Sequence, residues 1–257
     1  MGLPPADIHL LADALRDAVD EVVEIYEQDA PPATGQVTPK LLAEAAGQLI
    51  EILKRIDSDH NADTPPLDPD PHPPGPASEE DLSQLADYGL SLLGDLAAWA
   101  ERLGVQDRKR DLELLAFPLA LWVTRHGGEL RTMEPVVNAV AVLANQSKDN
   151  RALEELYGAT GELIDAAALT IRQDLEKGNP GRPWRVLNLN RAIIATRTHN
   201  PRIMEQAFGT LVQNLPEDAP AFFREGMGQM DALDYPAPVR AVMERYYRRW
   251  CLQHTLH

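Results

Sequence analysis

Apolar residues recur at steps of three and four along most of the chain, which is the spacing of one face of an α-helix. The first such stripe predicts a helix over 7–28, whose opposite face is acidic. Its members are Ile8, Leu11, Leu15, Ala18, Val22 and Ile25. A second stripe, from Leu42 to Ile56, follows Thr38-Pro39, a good N-cap and a residue suited to the first helical position. The two helices are expected to form an antiparallel hairpin.

The remaining stripes predict eight further helices, each preceded by a capping residue or by proline. Their predicted starts are Ser78, Asp107, Thr132, Asp149, Trp184, Asn200, Asp218 and the Pro236 to Pro238 segment. The helix after Asp149 is predicted to continue to Lys177. The helix after Asp107 is apolar nearly all round, which indicates a buried position, and Pro118 should kink or split it. Ten helices and no convincing strand predict an all-α protein.

A degenerate repeat supports a regular arrangement of these helices. Residues 136–158 align with residues 187–209, with the caps Asp149 and Asn200 in register. The pattern [Leu/Met]-Glu-x-x-[Tyr/Phe] ends at Tyr157, Phe208 and Tyr247. A single hairpin cannot bury its apolar faces, so neighbouring hairpins stack. The sequence therefore predicts stacked antiparallel αα-hairpins in an irregular α-solenoid of TPR/HEAT-like architecture, although the 34-residue tetratricopeptide pattern itself is absent.

A proline-rich stretch divides the chain. Seven of the 21 residues in 58–78 are proline, a composition that favours extended backbone over helix or sheet. We therefore expect an acidic helical hairpin over 1–57, a Pro/Asp-rich linker over 58–78 and a helical-repeat-like domain over 79–257. The linker contains His60, His72 and several aspartates, but such a tether does not hold them in the fixed geometry that a metal needs. No metal is expected.

Charge is unevenly distributed along the 257 residues, whose net charge is −16. Residues 1–107 hold 5 Lys/Arg against 22 Asp/Glu, whereas residues 178–257 hold 10 against 7. The acidic front disfavours general binding of nucleic acid, which needs clustered cations. Cys251 is the only cysteine, which excludes an intrachain disulfide and fits a reducing cytoplasm. No apolar run approaches the ~20 residues of a membrane span, and the N-terminus lacks the basic region of a signal peptide.

Five arginines lie between Gly178 and Met204, where there is no acidic residue. With their polar neighbours they are the best candidates for binding an anion or an acidic peptide, because arginine makes bidentate contacts with carboxylates. These candidates are Arg182, Arg185, Asn188, Asn190, Arg191, Arg197, His199 and Arg202. Asn190 falls near the apolar stripe that includes Ile193, so we expect it to be buried. The favoured alternative is structural, with the arginines paired to acidic residues of other helices.

The C-terminal helix offers a second candidate surface, formed by Arg245, Tyr246, Arg249 and Trp250. Arginine, tyrosine and tryptophan dominate interface hot spots, and arginine with aromatics also suits single-stranded nucleic acid. The alternative is a terminal cap whose aromatic side chains pack on the preceding hairpin.

Enzyme signals are weak. Cys251 and His254 lie three apart on one helix face, but nothing supplies an oriented base or an oxyanion site. No phosphate-binding or dinucleotide glycine motif is present, and no cofactor is expected. The sequence favours a non-enzymatic adaptor that binds a protein partner through its arginine and aromatic surfaces. The alternatives are a nucleic-acid-binding protein that uses 182–202 and 240–250, and an enzyme with a cryptic helical site.

Overall fold

The computed structural model describes residues 2–29, 37–61 and 77–252 of the chain. Within these ranges all regular secondary structure is helical, and the β-type pairing is confined to an isolated bridge between Leu130 and Ala167. The predicted all-α class is therefore confirmed. The helices are α1 (Ile8–Asp29), α2 (Pro39–Asn61), α3 (Glu79–Arg102), α4 (Gln106–Leu114), α5 (Ala116–Arg125), α6 (Glu134–Gln146), α7 (Asn150–Asp165), α8 (Leu169–Arg172), α9 (Pro183–Arg197), α10 (Pro201–Asn214), α11 (Ala219–Ala232), α12 (Ala237–Tyr247) and a π-helical turn (Arg248–Leu252). No helix in the described ranges is long and apolar enough to span a membrane.

Several helix ends form at the capping residues that the sequence indicates. Ser78 accepts from the Asp81 amide at 3.1 Å while Asp81 accepts from the Ser78 amide at 3.0 Å, a complete capping box. The Ser78 hydroxyl also donates to the Asp81 carboxylate at 2.7 Å, and this bond together with the one from the Ser78 amide lowers the pKa of Asp81. Asn200 accepts from the Arg202 amide at 3.1 Å and starts α10. Gly104 follows α3 with φ of +77°, the left-handed conformation that glycine adopts readily.

The predicted single helix from Asp149 to Lys177 is wrong beyond Asp165, where only the short α8 (Leu169–Arg172) is helical. α7 ends at Asp165, because the next residues pair with Leu130 instead. The Leu130 amide donates to the Ala166 carbonyl at 2.8 Å, and the Ala168 amide donates to the Leu130 carbonyl at 2.9 Å. Tertiary pairing thus overrides a helical pattern in the local sequence.

Pro118 splits the helix that contains it, as predicted. α4 ends at Leu114 and α5 begins at Ala116. Pro118 then lies in the first turn of α5, where a missing N–H removes no intrahelical hydrogen bond. α5 is buried on nearly every side, which agrees with its uniformly apolar sequence.

Three other predicted boundaries shift. The N-cap of α4 is Val105, so Asp107 lies in the first turn instead of capping it. α6 begins at Glu134, two residues beyond the predicted cap Thr132. α2 extends to Asn61, so residues 58–61 of the predicted linker are helical, and residues 62–76 lie outside the described ranges.

The chain separates into two compact units. The N-terminal unit contains Pro4–Ala139 together with Ala166–Ala168, and the C-terminal unit contains Val140–Asp165 and the described residues from Leu169 onward. Helices α1 and α2 thus belong to the same unit as α3 to α5. The sequence-based domain limits at 57 and 78 stay a prediction.

The N-terminal unit is a helical bundle around α3, which packs against α1, α2, α4 and α5. Gly89 of α3 permits this close packing, because a Cβ there would lie 2.9 Å from Leu119 and 3.0 Å from Leu49. Trp99 of α3 donates to the Val37 carbonyl at 3.0 Å, which fixes the start of α2 against the bundle.

In the C-terminal unit, α9 packs against α7 and α10, and α12 packs against α10 and α11. The predicted helical pair from Trp184 to Leu215, with its turn at Asn200-Pro201, corresponds to α9 and α10. The core contains an aromatic cluster with ring centroids 5.2 to 5.7 Å apart. Its members are Phe208 of α10, Phe222 and Phe223 of α11, and Tyr246 of α12.

Candidate functional site

Arg182 and Arg185 of the predicted arginine cluster form an ion-pair network at the start of α9. Arg182 is 6% exposed, and its guanidinium lies 2.5 Å from Asp174 and 3.1 Å from Asp218. Arg185 lies 2.6 Å from the second oxygen of Asp218. The hydrogen bond to Asp174 raises the pKa of Arg182. Asp218, predicted to cap α11, makes no capping hydrogen bond because its carboxylate accepts from the two arginines.

Arg197 lies at the opposite end of α9 and contacts the C-terminal end of α6. Its two terminal nitrogens donate to the carbonyls of Ala144 at 2.6 Å and Ser147 at 2.8 Å. These carbonyls lie where the negative end of the α6 dipole is found, so the guanidinium stabilises that end. Arg197 therefore has a structural role, in which it stabilises the C-terminal end of α6.

Arg191 stacks on an aromatic ring of α7. Its guanidinium carbon lies 4.2 Å from the centroid of Tyr157, a cation–π contact. Gly161 leaves room for it, since a Cβ there would lie 3.1 Å from Arg191 Nη2. Arg191 Nε and the Tyr157 hydroxyl are buried without a hydrogen-bond partner in the described part of the chain. Burial raises the pKa of Tyr157, and the charge of Arg191 partly opposes that shift.

The two asparagines of α9 have different environments. Asn188 is 3% exposed, donates to the Trp184 carbonyl at 2.9 Å and accepts from Asn214 at 2.8 Å, which joins α9 to α10. Asn190 is half-buried, and its side-chain nitrogen has no hydrogen-bond partner among the described residues. Asn188 therefore has a structural role.

His199 and Arg202 lie at the turn between α9 and α10, and both are exposed. His199 has a φ of +54°, and its ring lies edge-on to Tyr235 with centroids 5.4 Å apart. Arg202 makes no ion pair with any described residue. The predicted cluster is therefore distributed around α9 and its ends, instead of forming one patch.

The C-terminal candidates are divided between the core and the surface. Tyr246 packs 5.2 Å from Phe208 and donates to the Glu205 carbonyl at 3.2 Å, and burial raises its pKa. Arg245 pairs with the Glu205 carboxylate at 2.6 Å. Arg249 is exposed and Trp250 is half-buried, both in the π-helical turn.

An open groove lies between α9 and α11. Arg185, near the start of α9, contacts Asp218 at the start of α11, and His199, after the end of α9, contacts Tyr235, after the end of α11. The two helices therefore run in the same direction. The cavity between them has a volume of about 390 Å³. This volume falls in the range of ordinary ligand-binding clefts.

The groove has an apolar floor and a charged rim. The floor is formed mainly by Leu189, Ile193, Phe222, Met230, Tyr235 and Met243. The charged side chains of the rim are Arg185, Arg197, Asp218 and Glu225, and Gln229 lies one turn beyond Glu225 on α11. Among the described residues, Glu225 has no hydrogen-bond or ion-pair partner, and it is exposed.

Much of this groove is not predicted by the sequence. Ile193 belongs to the predicted buried stripe, yet it is 46% exposed because no described helix covers that face of α9. Phe222, Met230 and Met243 fall in predicted helices, and nothing in the sequence marks them as lining a groove. An apolar residue among the arginines, such as Ile193, is the one signal that the sequence offers, and its exposure depends on which helices pack nearby.

A polar and aromatic cluster in the N-terminal unit also escaped the sequence analysis. Trp122 donates to Asp57 at 2.9 Å and stacks on His126 at 3.9 Å between centroids. Nε2 of His126 lies 3.3 Å from the same carboxylate, and the His60 ring is 4.9 Å from that of His126. His60, assigned from the sequence to the linker, thus lies on the last turn of α2. Asp57 and His60 come from the end of α2, and Trp122 and His126 come from the end of α5, so the cluster joins the ends of these two helices.

The described ranges contain no group of three or more His, Cys, Asp or Glu side chains placed to hold a metal ion. The Cys251 thiol contacts the Pro220 carbonyl at 3.1 Å, and burial raises its pKa, while His254 lies outside the described residues. No protein-family model, no curated protein and no solved structure matches this chain.

Proposed function

We propose that this protein is a non-enzymatic interaction protein and that a segment of a partner protein occupies the groove between α9 and α11. The observation that carries this proposal is the open apolar floor bordered by charged side chains. Exposed apolar surface rimmed by polar groups is typical of interaction sites. If a partner covered the exposed part of the Ile193 side chain, the apolar surface removed from water would contribute roughly 1 kcal/mol to the free energy of binding.

The composition of the floor favours a peptide segment. Met230 and Met243 are only 2% and 1% exposed, at the bottom of the groove, but their unbranched side chains can shift when a partner side chain enters. The groove extends beside α9 from Arg185 to Arg197, about 18 Å at the helical rise of 1.5 Å per residue. Three turns of a partner helix would have this length.

The finer architecture that we propose is the irregular α-solenoid of stacked αα-hairpins. Two repeat-related aromatic positions support it, because Tyr157 contacts Arg191 of α9 and Phe208 contacts Phe223 of α11. Each thus packs on the first helix of the following hairpin. The third position of the repeat pattern gives weaker support. The pattern indicates Tyr247, whereas Tyr246 is the residue that joins the aromatic cluster. We place the protein in the cytoplasm, which its single cysteine supports.

Binding of nucleic acid has less support. Arg245 is paired with Glu205, and Arg248 lies 3.8 Å from Glu244, so carboxylates already accompany part of the basic face of α12. Tyr246, the candidate for base stacking, packs in the aromatic cluster. Few phosphate contacts would then be formed, and the affinity would be low at physiological salt.

Site-specific cross-linking tests the proposed function. A photoreactive benzophenone amino acid replaces Ile193 in the full-length chain, expressed in its native cells. The matched control carries it at Leu175, which is 80% exposed in the same unit but outside the groove. We expect one partner segment, identified by mass spectrometry, to be joined to position 193 and not to position 175. Equal products at both positions, or none at 193, would refute the proposal.

A further inference from the structure

We infer that the partner segment in the groove is amphipathic and basic. In the complex, Glu225 forms an ion pair with a lysine or arginine of that segment, and this basic residue lies next to the segment's apolar side chains. This inference rests on the proposed function and concerns the same groove. It departs from the expectation, drawn from the arginine-rich sequence, of an acidic ligand.

The first step is the charge that remains uncompensated at the rim. Arg185 and Asp218 neutralise each other at one end of the groove. Arg197 faces the carbonyl end of α6, whose dipole offsets its charge. Glu225 alone among the charged side chains of the rim lacks a partner in the described part of the chain.

The second step is the effect of covering the groove. A partner that lies on the apolar floor removes water from the adjacent rim, and a carboxylate that loses water without gaining a cation is strongly destabilised. A basic side chain converts that penalty into an ion pair. An acidic side chain at the same place would add repulsion, so the groove discriminates by charge as well as by apolar contact.

The third step locates the cation relative to the apolar contacts. Because α9 and α11 run in the same direction from the Arg185–Asp218 contact, Ile193 lies at about the level of Gly226. Glu225 is therefore within one turn of the exposed Ile193. Gln229 follows Glu225 by four residues on the same face of α11, and its amide can accept a second hydrogen bond from the same cation. The partner should carry its basic residue three or four positions from an apolar one.

A displayed library of randomised 16-residue helical peptides, selected on the full-length protein, tests the inference. The baits are the natural chain, Glu225→Arg, the matched control Glu176→Arg and the groove variant Ile193→Asp. Glu176 is exposed in the same unit, outside the groove, and has no side-chain partner among the described residues. Circular dichroism establishes that every bait is folded before selection.

We expect the natural chain and Glu176→Arg to enrich lysine or arginine three or four positions from an apolar residue, and Glu225→Arg to enrich Asp or Glu there. The best natural-chain peptide should bind Glu225→Arg about fivefold more weakly, and its Lys→Glu version should recover that loss. Enrichment of apolar residues that Ile193→Asp abolishes, without any charge preference, would overturn this inference and leave the proposed function standing. Enrichment unaffected by Ile193→Asp would overturn both.

Discussion

Replacing Arg182 by methionine should destabilise the C-terminal unit more than the loss of an ordinary surface ion pair does. The Arg182 side chain is 8% exposed and that of its partner Asp174 is 9% exposed, so the pair has little contact with solvent. Methionine retains the apolar stem of the side chain but removes the charge. It leaves the buried Asp174 carboxylate without a cation.

The magnitude follows from which partner loses its cation. Asp218 still has Arg185 at 2.6 Å, so its charge remains compensated in the variant. Asp174 has no second ion-pair partner among the described residues. Removing one partner from a buried ion pair costs about 3 to 5 kcal/mol. We expect the free energy of unfolding to fall by about 3 kcal/mol, because two backbone carbonyls near Arg182 can recover hydrogen bonds with water.

A second substitution separates the charge effect from a general loss of packing. Asp174 has a φ of +49°, a conformation that asparagine adopts more readily than most residues, so Asp174→Asn preserves the backbone. In the Arg182→Met background it removes the uncompensated charge, and we expect it to restore about 2 kcal/mol. Both changes in the free energy of unfolding are measured by urea unfolding, monitored through hydrogen-exchange mass spectrometry of α9, so that they refer to the C-terminal unit. A loss below about 1 kcal/mol for Arg182→Met, or no recovery in the double variant, would refute the buried ion pair.

Two further predictions concern single residues. Hydrogen bonds from Arg131 and, second, from Gln84 lower the pKa of Glu80 from 4.5 to about 2, so Arg131→Gln, which removes the larger effect, should raise the NMR titration midpoint of Glu80 toward 4.5. The stability that depends on ionised Glu80 is present above its unfolded pKa and is lost as the pH falls toward 2, and an unchanged midpoint would contradict this account. Phe208→Ala should lower the free energy of unfolding by about 3 to 5 kcal/mol, because this ring is fully buried against Phe223 and Tyr246. Denaturant titration measures that loss, with the exposed Leu175→Ala as the control, and equal losses in the two variants would contradict it.

The parts of the fold that the sequence predicts well are set by neighbouring residues. The capping box of Ser78 and Asp81, the cap at Asn200 and the break near Pro118 depend on contacts within four residues. The end of α7 depends on pairing with Leu130, far along the chain, and no local pattern encodes it. Local chemistry therefore predicts where most helices begin, whereas tertiary pairing determines where this one ends.

The candidate site depends even more on contacts between residues that are distant in the sequence. The sequence shows a cluster of arginines, but the partners of Arg182 and Arg185 are Asp174 and Asp218, which lie on either side of α9 in the chain. The groove requires α9 and α11 side by side, and the exposure of Ile193 follows from that packing. Neither fact can be derived from residues 182–202 alone.

The excess of acidic residues explains why the unpaired charge in the groove is negative. The chain has 24 Lys and Arg for 40 Asp and Glu, so a buried or half-buried arginine readily finds a carboxylate, whereas many carboxylates find no cation. A cluster of arginines in such a chain is consequently a weak indicator of an anion site, because most of its charges are used within the fold, as those of Arg182, Arg185 and Arg197 are. A carboxylate left unpaired beside exposed apolar surface has no such internal use, and Glu225 beside Ile193 meets that description. The basic partner segment that we propose is therefore the one whose charge complements the carboxylate that remains unpaired beside the apolar floor of the groove.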